Sequence, residues 1–227
     1  MNSVIFDLDN TLYDEMEYVK SGFRFVSSYL SSKYNLNNEE VFSQMIDILE
    51  KDGRGSIFNT LLERIGLYSE EIIHLLVYLY RSHVPEIKLY DDVLSVFNSL
   101  RDLNFRIGII TDGRASVQKN KVAALDLEKY VNIIIYTDKL GFENWKPSTI
   151  PYKIALELLN SSPDESFYIG DDPYKDFLGP QLMGMKTIQI KRDIEENYWA
   201  NKGFMKTKPN FLVDNLEDIL PLIKMNV

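Results

Sequence analysis

The chain has no cysteine and only two histidines, His74 and His83, in 227 residues. Without a thiol it can form no disulfide, no thiolate metal site and no cysteine nucleophile. The two histidines stand nine apart on one predicted helix, a spacing that fits no ligand pair, and they read as ordinary polar-face or packing residues. Positive charge is also short: 25 Lys and Arg against 34 Asp and Glu leave a net charge of −9. Nucleic acid and anionic membrane surfaces both need clustered cations, so neither is expected as a partner. No apolar run approaches the ~20 residues of a membrane span. Asn2 and Ser3 lead straight into the first predicted strand without a basic segment or a cleavage site, so a cytoplasmic location is expected. A small anionic ligand stays compatible with the charge, because a metal ion and a few local cations can reverse the sign of one pocket.

What the chain does have is a first strand that stops at two acids. Val4, Ile5 and Phe6 read as buried strand, and Asp7-Leu8-Asp9-Asn10-Thr11 follows at once. A carboxylate at a strand's carboxyl end lies where open α/β sheets place their ligands. Alternation puts Asp7 and Asp9 on one side, and two close carboxylates repel unless a cation or a shared proton intervenes. Mg²⁺ suits such a place, being a hard ion that takes few carboxylates and leaves room for phosphate.

From about Glu15 to His83 the strand pattern gives way to helical periodicity. Phe23, Val26, Tyr29 and Leu30 form one stripe, and Val41, Met45, Ile48 and Leu49 another. Asn37 or Asn38 can cap the second helix and Gly53 can end it. A third helix is predicted from Ser56 to Ile65, and a fourth opens at Ser69 and stops before Pro85. Beyond Pro85 strands and helices alternate: helix 91–103, strand 105–110, helix 115–125, strand 131–136, helix 148–159, strand 166–169, helix 174–183 and strand 187–190. Residues 191–210 read as a surface loop before a last short strand and helix. The expected fold is α/β, a Rossmann-like, mostly parallel sheet with helices on both faces, plus an inserted all-α segment. The core would be discontinuous, with residues 1–14 and 86–227 forming it and 15–85 forming the insert.

Four signals along this scaffold come in a fixed order. They are Asp7-x-Asp9-x-Thr11, then Thr111-Asp112-Gly113 after Arg106–Ile110, then Lys146 before Pro147, then Gly170-Asp171-Asp172-Pro173-Tyr174-Lys175-Asp176 after Ser166–Ile169. Together they resemble the motifs of the haloacid dehalogenase-like hydrolase superfamily, and the helical insert stands where that family carries its first type of cap. The resemblance implies a Mg²⁺-dependent phosphomonoester hydrolase acting on a small phosphorylated metabolite. Asp7 would be the nucleophile that forms an aspartyl phosphate, and Asp9 the general acid and base. Thr111 would bind a phosphoryl oxygen, helped by the backbone amides of Asp112 and Gly113, although Asp112 stands where the family often has Asn. Lys146 would hold Asp7 and neutralise the transferring group. For the metal, the resemblance implies Asp7, the backbone carbonyl of Asp9, and Asp171, with Asp176 as a more distant partner and Asp172 as its competitor for that role.

A phosphomutase would use the same four motifs, passing phosphate to a sugar instead of water. A haloacid dehalogenase fits less well, since it needs no acid at the Asp9 position and no metal, and a non-catalytic scaffold would have no use for so costly an acidic set. Within the insert, Arg54 stands between Gly53 and Gly55 in a loop joining two predicted helices. Glycines on both sides permit a sharp turn and guanidinium offers a planar donor fork, so Arg54 is the candidate for reading the substrate's non-reacting end.

Overall fold

The computed structural model describes residues 2–192 and 205–226. It divides into two compact units, Met1–Asp14 with Lys88–Val227, and Glu15–Ile87.

The first unit is built on six parallel strands: β1 (Ser3–Phe6), β2 (Arg106–Thr111), β3 (Ile133–Tyr136), β4 (Ser166–Gly170), β5 (Lys186–Ile190) and β6 (Phe211–Val213). Their spatial order is β3-β2-β1-β4-β5-β6. Strand β1 is therefore central, paired with β2 from Ser3↔Arg106 to Phe6↔Ile109 and with β4 from Ser3↔Ser166 to Phe6↔Ile169. Every β1 residue is buried, as expected of a parallel strand covered on both faces, and that explains why its sequence is continuous and apolar rather than alternating. Among the described residues this unit also holds helices α5 (Val93–Asp102), α6 (Ala115–Ala124), α7 (Ile150–Leu159), α8 (Leu178–Leu182) and α9 (Ile219–Met225). On one face Ile5, Ile110 and Tyr168 pack with Tyr152, Ala155 and Leu159 of α7. Phe6 points the other way and meets Phe97 of α5 with ring centroids 5.3 Å apart.

The order of strands matters for ligands. Chain order reverses direction across the sheet between β1 and β4, and a crevice opens outside the carboxyl ends of the strands at such a point. Asp7, Thr111 and Asp171 stand at or just past the carboxyl ends of β1, β2 and β4.

The second unit holds four helices, α1 (Glu15–Tyr34), α2 (Asn38–Asp52), α3 (Ile57–Arg64) and α4 (Glu70–Ser82). Asn37 caps α2, its side chain accepting from Glu40 N at 3.1 Å, an interaction worth about 1 kcal/mol. Gly53 ends the same helix at φ +73°, where an L side chain would be strained. Phe23, Val26, Leu30, Met45, Ile48, Leu61, Leu62 and Leu76 form the apolar interior. His83 lies one residue beyond α4 with extended backbone, not on the helix with His74, and packs against Tyr18 and Tyr80. No helix among the described residues is long and apolar enough to cross a membrane.

One predicted element is corrected. The helix expected over 174–183 shrinks to α8, because Asp172 Oδ1 accepts from Tyr174 N and Asp176 Oδ2 accepts from Asp172 N, each at 2.9 Å. Such side-chain bonds to nearby amides draw a short acidic segment into a turn in place of a regular helix. Of the loop expected over 191–210, residues 193–204 lie outside the described residues; around them, Lys191 N bonds Val213 O and Thr207 N bonds Pro173 O.

Candidate active site

The end of β1 sets the first group. Asp7 N continues the ladder by donating to Ile169 O at 2.8 Å, which fixes the backbone of a residue only 2% exposed. Its Oδ1 lies 2.6 Å from Lys146 Nζ, whereas Oδ2 is buried with no hydrogen-bond partner among the described residues. Lys146 is itself buried and also donates to Asp176 Oδ1 at 2.8 Å and to the Tyr168 hydroxyl at 3.1 Å. Burial works against its charge, but Asp176 and Asp7 outweigh it and hold the ammonium well above the usual lysine range.

The turn after β4 brings in the other acids. Asp176 folds back over Gly170, where an added Cβ would meet Asp176 Oδ2 at 2.5 Å, so a side chain at position 170 would displace the carboxylate. Asp171 Oδ1 accepts from Thr11 Oγ1 at 3.3 Å. One oxygen from each of Asp7, Asp171 and Asp176 lies within 4.8 Å of the others. Burial raises the Asp7 carboxyl above its ordinary value, with Lys146 pulling against it and Asp176 adding to it. Burial likewise pushes Asp171 well up, opposed by Lys175 and reinforced by Asp176 and Asp7. Three acids around one point, Asp7 and Asp176 buried and Asp171 half-buried, are a poor arrangement without added positive charge, and their oxygens are the donor set of a hard divalent cation. Asp172 is spent on the turn, its Oδ1 on Tyr174 N, and stands outside this set.

Asp9 departs from expectation. Its carboxylate is not in the acidic cluster but is held by Lys121 Nζ on Oδ1 at 2.6 Å, by the Tyr13 hydroxyl on the same oxygen, and by Gln118 Nε2 on Oδ2 at 2.7 Å. Burial pushes this carboxyl up, yet the Lys121 charge and these hydrogen bonds outweigh it and bring it below the ordinary value. The reason is simple: the strand ends at Phe6, so the alternation that would align Asp9 with Asp7 no longer operates.

Thr111, the last residue of β2, is buried and accepts from Gln118 Nε2 at 2.5 Å. Asp112 uses its carboxylate structurally, accepting from Thr137 Oγ1 at 2.7 Å and from Lys146 N at 3.3 Å, and so ties the Lys146 loop to the end of β2. Gly113 follows at φ +113°, beside the Gln118 side chain. Arg54 belongs to the helical unit, where it makes a two-pronged pair with Glu15, both contacts at 3.1 Å, and lines a cleft of about 260 Å³ with Phe23, Phe58, Tyr80 and Arg81.

Sequence reasoning missed Tyr13, Gln118, Lys121 and Tyr168. Gln118 and Lys121 stand three apart on the helix after Thr111-Asp112-Gly113, so both reach one point, but on paper they look like a solvated helix face.

Acids and the buried Lys146 gather at the switch point of a parallel α/β sheet, where such sheets hold their ligands. The chain belongs to the haloacid dehalogenase-like hydrolase family, whose model matches residues 4–190. It is 25% identical over 233 residues to a glyceraldehyde 3-phosphate phosphatase of Methanopyrus kandleri, covering 99% of this chain and 97% of that protein. It is 27% identical to the pyrophosphatase PpaX of Bacillus mycoides, covering 98% and 97%. The fold is shared with the crystal structure of a HAD phosphatase from Thermococcus onnurineus, with TM-score 0.62, 22% identity and 98% of each chain covered.

Proposed function

We propose that the protein is a Mg²⁺-dependent phosphomonoester hydrolase that acts on a small phosphorylated metabolite through an aspartyl phosphate on Asp7. The observation that carries this reading is the asymmetry of Asp7: Lys146 holds Oδ1 while Oδ2 is buried without a hydrogen-bond partner among the described residues. An anionic oxygen so placed is a pre-oriented nucleophile. Asp7 Oδ2 attacks phosphorus, the ester P–O bond breaks, and Asp9 gives a proton to the departing oxygen. A water then attacks the acyl phosphate as Asp9 takes its proton back, releasing inorganic phosphate and restoring the Asp7 carboxylate. Lys121 favours the ionised form of Asp9, the form that takes the proton from water in the second half.

Thr111 Oγ1 and the Asp112 and Gly113 amides bind the phosphoryl oxygens, and Lys146 offsets the charge that gathers on them. Asp7, Asp171, Asp176 and the Asp9 carbonyl would hold the divalent ion, which supplies further neutralisation of phosphate charge when bound. Glyceraldehyde 3-phosphate and pyrophosphate, for which the relatives are named, are the first substrates to try.

The test is phosphate release from a panel of phosphorylated metabolites with and without Mg²⁺. Asp7→Asn should abolish turnover with folding intact, and chelation should abolish it in the wild type. Robust metal-free hydrolysis would overturn the reading, and stoichiometric isomerisation of a sugar phosphate with little phosphate released would replace it with a mutase.

A further inference from the structure

Helix α6 buries an unusual set of side chains. Its buried residues are Gln118, Lys121 and Val122, so two of the three inward positions carry polar groups where apolar side chains would pack at lower cost. Gln118 is 2% exposed and Lys121 3% exposed. Both are aimed at the same carboxylate: Lys121 Nζ lies 2.6 Å from Asp9 Oδ1, and Gln118 Nε2 lies 2.7 Å from Asp9 Oδ2. Tyr13, one residue past Leu12, closes the arrangement with its hydroxyl on Oδ1. Neither oxygen of Asp9 is left to choose its own rotamer.

Gln118 does more than hold Asp9. The same Nε2 donates to Thr111 Oγ1 at 2.5 Å, so one amide group spans the carboxylate and the hydroxyl at the end of β2. Asp9 lies in the segment beyond β1 and Thr111 ends β2, and Gln118 sets their spacing. We infer that Gln118 and Lys121 are positioning residues that register Asp9, the proton-transferring group, against Thr111, the phosphoryl-binding group. This rests on the reading of Asp9 as acid and base. A carboxylate misplaced by 1 Å loses much of its effect on a leaving oxygen, whereas a leaving group that needs no proton is indifferent to it.

Leaving-group dependence therefore separates positioning from plain structural support. Hydrolysis of 4-nitrophenyl phosphate and of a series of alkyl phosphates is measured for wild type, Lys121→Met, Gln118→Met and Asp9→Asn. The expected result is a loss in kcat for Lys121→Met and Gln118→Met that is on the order of tenfold greater on alkyl than on nitrophenyl esters, in the same sense as for Asp9→Asn. Equal losses on both ester types, or none, would overturn the inference while selective loss in Asp9→Asn leaves the acid-base reading in place. If Asp9→Asn is itself unselective, the acid-base reading falls, and the inference with it. Circular dichroism and thermal melting verify the fold of each variant; where Lys121→Met does not fold, Gln118→Met alone decides, because it removes the link to Thr111 without unpairing a charge.

Discussion

Lys146 Nζ and Asp7 Oδ1 meet at 2.6 Å across 139 residues of sequence, both fully or almost fully buried. The same ammonium satisfies Asp176 at 2.8 Å, so a single cation neutralises two acids that no solvent reaches. Removing one partner of a buried pair strands the other charge, and the loss is far greater than the net worth of the pair.

Lys146→Met should accordingly lower stability by about 3–5 kcal/mol in metal-free buffer. A divalent ion would replace part of the missing charge, so Mg²⁺ should raise the melting temperature of the variant more than that of the wild type. Melting curves with and without Mg²⁺ check this. The absence of any metal response in either protein would remove the acidic cluster from consideration as a cation site.

Much of this constellation was readable before any coordinates, because strand ends announce themselves. The apolar runs ending at Phe6, Thr111 and Gly170 are followed directly by polar groups, and parallel pairing brings those three ends side by side. Helix limits at Asn37 and Gly53 were legible for a local reason, since capping depends only on neighbours in sequence. Long-range partnership was not. Lys121 looks like any surface lysine until the fold carries it 112 residues back to Asp9, and Tyr168 looks like strand core until its hydroxyl is seen on Lys146. The turn at 172–176 was missed because its Asp side chains compete for the very amides that a helix would use.

A second prediction concerns Arg192, which pairs with Asp92 through two bonds at 2.6 and 3.0 Å and donates to Thr11 O at 2.9 Å. Burial would raise Asp92, but the bonds from Arg192 and from Leu216 N outweigh it and lower the carboxyl below its ordinary 3.8. A depressed carboxyl contributes stability that is present above the unfolded value and is lost as pH falls through the folded one. Asp92→Asn should therefore cost on the order of 1–2 kcal/mol near neutrality, with the gap to wild type closing below about pH 4. Urea midpoints between pH 3 and pH 7 measure it. A gap independent of pH would mean that Asp92 acts through shape and not through charge.

Arg54 is the last case, and here two readings make opposite demands. Its paired contacts with Glu15, in side chains 38% and 16% exposed, describe a partly solvated brace between the start of α1 and the loop before α3. A pair of this exposure contributes about 0–1 kcal/mol, too little to explain a dedicated Gly-Arg-Gly turn by stability alone. We carry Arg54 forward as the reader of the substrate's non-reacting end, with Glu15 as the group that holds the guanidinium fork in place. On that reading Arg54→Ala raises KM for the physiological substrate and leaves hydrolysis of 4-nitrophenyl phosphate nearly unchanged, the pattern of a binding contact remote from the chemistry. Glu15→Gln keeps the guanidinium, so its effect on KM should be smaller than that of Arg54→Ala. If Arg54 serves only as a brace, both variants shift the melting temperature by the same small amount and neither alters KM on either ester. Steady-state kinetics on the two substrates, set beside melting curves for the two variants, decides between them.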